Sequence, residues 1–139
     1  MGKINWGRVF LGGLLVGVVG GVLDAIMVPL VARDFLAALP PSDHIFPPKS
    51  AGSFAFLGMT VFVYGIWTMW LYAAIRPRYG PGPKTAAVAG FALWVIGTLA
   101  DVSWGSMGFV PPWAFVGPVA ASLPICIVAA MVGAWLYRE

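Results

Sequence analysis

At 139 residues, with 60% apolar side chains, 9% charged ones and a mean hydropathy of +0.91, the chain is far from a water-soluble domain, which carries roughly 25% charged residues to cover its surface. Its net charge of +3 is the balance of eight Lys and Arg, scattered at the ends of apolar runs, against five Asp and Glu; with no basic stripe interleaved with aromatics, this argues against nucleic acid and reads as a topology signal. The single cysteine, Cys126, lies in an apolar stretch and excludes an intrachain disulfide and a Cys/His metal cluster.

A bilayer core of about 30 Å needs roughly 20 helical residues per crossing. The chain is therefore read as all-α: one polytopic domain over 1–139 with four transmembrane helices at about 9–30, 54–75, 85–104 and 114–137. The first apolar run follows Lys3 and Arg8 and is longer than the roughly 7–15 residues of a signal-peptide core, so it reads as a retained helix. Within it Gly13, Gly17 and Gly21, continued by Ala25, form a GxxxGxxxG face with almost no side-chain volume. Such a face lets another helix approach closely, either within the chain, which is the default, or from a second subunit.

From Arg33 to Ser50 the chain carries Pro40, Pro41, Pro47 and Pro48, which predict an extended, ordered cap outside the bilayer with Phe35, Leu36 and Leu39 dipping into the interface. His44, beside Asp43, has no visible partner for catalysis or metal binding and reads as a solvated loop residue. The stretch from Arg76 to Lys84 reads as a tight polar turn, and Val110-Pro111-Pro112 as the next one. Pro124 predicts a kink in the fourth helix. Cys126, with no base near it in sequence, reads as an inert packing residue.

Lys3, Arg8, Arg76, Arg78, Lys84 and Arg138 lie on the side of the termini and the second turn, against Arg33 and Lys49 on the other. This bias predicts both termini inside. Trp6, Trp70, Tyr72, Tyr79, Trp135 and Tyr137 fall near the inner interface, and Trp104 and Trp113 near the outer one. Trp67 and Trp94 are deeper and read as packing residues, with ligand stacking as the alternative.

Asp24 and Asp101 carry the main chemical signal, because a carboxylate in a membrane helix costs a few kcal/mol on insertion scales and usually faces protein or water. Asp24 lies 16 residues beyond Arg8 and Asp101 lies 17 beyond Lys84, so both fall near the outer interface. Each has a glycine four residues earlier, Gly20 and Gly97. Two readings stand: solvated acids in the last turns of their helices, with Ser103 and Ser106 near the second, or a shared proton or cation site. A shift of 77 superposes Gly13, Gly20 and Asp24 on Gly90, Gly97 and Asp101; a shift of 65 superposes Trp70-Leu71-Tyr72 on Trp135-Leu136-Tyr137. A parallel duplication of two hairpins would produce this pattern.

The string from Trp70 through Arg76-Pro77-Arg78-Tyr79-Gly80-Pro81-Gly82-Pro83-Lys84 to Ala86 is the most specific stretch. With Asn5-Trp6 and the terminal Gly133-Ala134-Trp135-Leu136-Tyr137-Arg138-Glu139, it resembles short bacterial four-helix integral membrane proteins of uncharacterised function. The resemblance implies a bacterial inner-membrane location and brings no activity or cofactor.

The expectation from sequence is a non-catalytic bundle that associates with itself or serves as an accessory subunit of a larger membrane complex. The alternative is a small proton- or cation-coupled transporter or channel using Asp24 and Asp101. A lipid-modifying enzyme is a distant third, since no nucleophile, base and metal set converges. A pore-lining polar stripe would favour transport; an exposed small-residue or aromatic face would favour assembly.

Overall fold

The computed structural model describes residues 4–38, 50–108 and 111–137. Lys3, Leu39, His44, the four loop prolines, Lys49 and Arg138 lie outside the described residues, as do the side chains of Leu36 and Trp104. The described chain is helical throughout: α1 (Trp6–Val31), α2 (Arg33–Ala38), α3 (Ala51–Tyr79), α4 (Pro83–Ser106) and α5 (Pro112–Trp135). All but α2 are long and apolar enough to cross a membrane, the pattern of a multi-pass membrane protein.

Local chemistry sets the helix ends. Asn5 caps α1, its Oδ1 accepting from the Arg8 N–H at 3.2 Å, and Ser50 caps α3, its Oγ accepting from the Ser53 N–H at 3.1 Å. Both satisfy donors that the first helical turn leaves open. Pro83 and Pro112 open α4 and α5, where a missing N–H does no harm.

Two expectations about the connections change. The stretch from Arg76 to Lys84 is mostly helix: α3 continues through Pro77 to Tyr79, leaving only Gly80-Pro81-Gly82 as the turn. Gly80 makes this possible, with φ of 81° and its N–H closing onto the Arg76 carbonyl at 2.8 Å. After α1 the chain forms the helix α2 instead of an extended cap, because the prolines begin only at Pro40. Phe35 turns onto α5, meeting Phe115 edge to face at 5.1 Å.

Around the bundle the order is α1, α3, α4, α5. Contact is heaviest between α1 and α3, nearly as heavy between α4 and α5 and between α1 and α5, and lightest in this ring between α3 and α4. The end holding the chain termini and the α3–α4 turn, here the terminal end, contains most of the buried core: Val9, Met69, Tyr72, Ala86, Ala89, Ala130 and Tyr137. The opposite, distal end is loosely packed; Phe54, Phe56, Leu99 and Val102 are all more than half exposed there.

Glycines make the terminal end tight. A Cβ on Gly65 would run into the Gly13 carbonyl oxygen and the Gly17 nitrogen, joining α3 to α1 backbone to backbone. One on Gly12 would lie 3.0 Å from the Gly133 oxygen, and one on Gly90 2.6 Å from the Cys126 oxygen. Tyr72 and Tyr137 meet edge to face at 5.7 Å, with the Arg76 guanidinium 5.3 Å from the Tyr137 ring centre.

Outward, the helices present bulky apolar side chains on every side, such as Leu30, Phe56, Ile96 and Val116. That suits lipid, which makes no distinction between inner and outer apolar faces. Trp67 belongs to this surface: it is 53% exposed and touches Trp70 at 5.0 Å, so it does not fill the interior as expected. α5 runs as one helix through both Pro118 and Pro124.

Candidate functional site: an acidic chamber among four helices

The loose distal half leaves a half-open chamber of about 410 Å³ bounded by α1, α3, α4 and α5, within the range of small-molecule sites. Gly65, Thr68 and Ala129, from the tight half, are among its lining residues. A second space of about 550 Å³ lies beneath α2, against Phe35 and Phe115. Asp24 and Asp101 line both spaces and mark where they meet.

Asp24 stands seven residues before the end of α1, and Asp101 five before the end of α4, or about 10 and 8 Å along their helices. Asp24 is half-buried and Asp101 exposed. Among the described residues neither carboxylate has a hydrogen-bond or ion-pair partner, and no Lys, Arg or His lines either space. Ser103 and Ser106, the nearby hydroxyls, are turned to their own helix, donating to the Leu99 and Ser103 carbonyls at 2.7 Å each.

The chamber wall carries polar groups at helical spacing. Thr60, Tyr64 and Thr68 follow one another at four-residue intervals on α3, all lining the space, the separation that stacks side chains on one face. Thr60 and Thr68 each donate to the carbonyl four residues back, at 2.8 Å, while the Tyr64 hydroxyl crosses to α4 and donates to the Leu93 carbonyl. On the next seam Trp94 Nε1–H donates to the Val119 carbonyl at 3.1 Å and to Ser122 Oγ at 3.0 Å. Trp94 thus holds α4 to α5 and lines the chamber, with Phe91 stacked beside it at 5.7 Å.

The sequence reading passed over Tyr64, Ser122 and the Trp94 indole bond. The threonine, tyrosine, threonine spacing was the available signal for the first; nothing local marks the bonds between helices. Cys126, read as packing, lines the chamber half-buried. Gly13 and Gly17 face Ile66 and Phe62 of α3, whereas a Cβ on Gly21 would make only ordinary contact with Val61 at 3.7 Å. The glycine face is therefore engaged within the chain.

Chemically, two carboxylates that have neither a partner nor a lining cation among the described residues can take up a proton or a cation. Among the described residues no three His, Cys, Asp or Glu gather as metal ligands. No family model matches the chain, and neither a curated protein nor a solved structure gives a significant match.

Proposed function

We propose that this chain is a small, non-catalytic multi-pass protein of the bacterial inner membrane that binds and moves a proton or a cation through the acidic chamber. The observation that carries the reading is that Asp24 and Asp101, from two different helices, line one space to which, among the described residues, no Lys, Arg or His contributes. The polar stripe of Thr60, Tyr64 and Thr68 along that space favours transport over pure assembly. The assembly reading also loses its main motif, since Gly13 and Gly17 are taken up by α3 of the same chain.

The cation bias of six to two puts the terminal end in the cytoplasm, so the chamber lies toward the outer face. A duplication of two hairpins fits the same geometry. A methyl on Gly20 would meet Ala129 at 3.9 Å, and one on Gly97 would meet the Tyr64 hydroxyl at 2.7 Å; the shift of 77 relates Gly20 to Gly97, and the shift of 65 relates Tyr64 to Ala129. Asp24 and Asp101 are then equivalent acids of two related halves.

The test is flux in proteoliposomes under imposed proton, sodium and potassium gradients, comparing the parent with Asp24→Asn and Asp101→Asn. A charge-assisted contact contributes roughly 1.5–3 kcal/mol, so each variant should lose about tenfold or more of the flux. A parent silent under every gradient would return the protein to the accessory-subunit reading.

A further inference from the structure

We infer that the chamber is entered sideways, between α3 and α4, by a single-chain amphiphile with a cationic head drawn from the distal leaflet. This rests on the acidic chamber being a cation site and adds the class of ligand and its route.

The seams around the bundle differ in how far they close. α5 stays against α1 from Gly133 beside Gly12 to Gly117, where a Cβ would lie 3.0 Å from the Val31 oxygen. It stays against α4 from the Gly90 contact to Phe115, which a Cβ on Gly105 would meet at 3.0 Å. α3 and α4 are joined at the terminal turn, where the Gly82 N–H donates to the Tyr72 hydroxyl at 3.3 Å, and again where Tyr64 reaches Leu93. Beyond Tyr64, α3 runs another 13 residues to Ala51, and Thr60 and Leu57 on it are exposed, as are Ala100 and Asp101 on α4. These four exposed residues all line the chamber, so its opening faces sideways at the level of the acids.

Tyr64 gives the physical reason. It occupies the place that Ala129 takes between α5 and α1, and a phenol ring there holds α3 and α4 apart where a methyl group lets the other pair close. At the distal end α2 packs on α1 and α5, with Phe35 against Phe115, and covers the second space beside the chamber. An opening bounded by helices at bilayer depth admits what already lies in the lipid. Leu57, Val61 and Leu93 around it are apolar and suit an alkyl chain, while the acids, when ionised, favour a positive head over a negative one.

The experiment uses the full chain in lipid nanodiscs, with empty discs subtracted, and counts retained radiolabelled decyltrimethylammonium, tetramethylammonium and decyl sulfate. The parent should retain decyltrimethylammonium at least about tenfold better than either other probe, and Asp24→Asn should lose about tenfold of that binding. Ala100→Trp, which adds bulk at the opening, should slow uptake of the decyl cation about tenfold; the probe comparison on the parent stands even if that variant folds poorly. Equal retention of the long and short cations, with Ala100→Trp at the parent rate, would overturn the lateral route and leave the cation site standing. Equal retention of decyl sulfate would reduce the chamber to an apolar slot. No retention of either cation by the parent would remove both readings.

Discussion

Asp24 and Asp101 stand out in the amino-acid string because charge is rare in so apolar a context, and a lone carboxylate in lipid needs a reason. Their neighbours are less conspicuous. Tyr64 and Trp94 look like ordinary aromatics until their polar atoms are seen reaching carbonyls of the next helix. Hydrogen bonds between membrane helices contribute about 0.6 kcal/mol on average and up to about 1.7, so Tyr64→Phe should lower unfolding stability in detergent by that order while keeping the ring that lines the chamber. Proton or cation flux through the variant should stay near the parent's. A large loss of flux with unchanged stability would mean that the hydroxyl itself takes part in transfer.

At the scale of helices, the glycines divide by what lies across from them. Gly65 sits where α3 touches the α1 backbone, and a methyl there collides with Gly13 and Gly17, atoms that cannot swing aside. Overpacking of this kind typically costs about 1–3 kcal/mol, so Gly65→Ala should lower the melting temperature in detergent clearly. Gly58 has nothing within 4 Å of its would-be Cβ, and Gly58→Ala should be neutral or stabilising by up to about 1 kcal/mol through helix propensity. If both substitutions shift melting equally, the α1–α3 seam is not the tight contact described here. The GxxxGxxxG spacing announced a seam; that α3 presses closest at Gly13 and Gly17 and leaves room for a methyl at Gly21 follows from the crossing of the two helices and not from their spacing.

The described residues form a bundle packed tightly at the terminal end and loosely at the distal one, and its orientation decides which leaflet the chamber meets. With Cys126→Ala as background, cysteine at Met107, 65% exposed between α4 and α5, should react with an impermeant thiol reagent in intact cells. Cysteine at Pro81, in the turn at the other end, should react only after permeabilisation, as the six-to-two cation bias requires; the opposite pattern would place the termini outside. The sequence by itself determined the four spans, the glycine face, the two acids and the cation asymmetry, since each depends only on residues near one another in the chain. It misjudged the stretch around Pro77 and the segment after Val31, where capping by Gly80 and the late start of the prolines extended or created helix. Only the tertiary structure decided which faces meet, that both acids line one chamber, and that the α3–α4 seam is the light one. In a soluble helix an apolar stripe marks the inward face, but helices that are apolar all round carry no such mark, so their pairing rests on the fit of small and large side chains across the bundle.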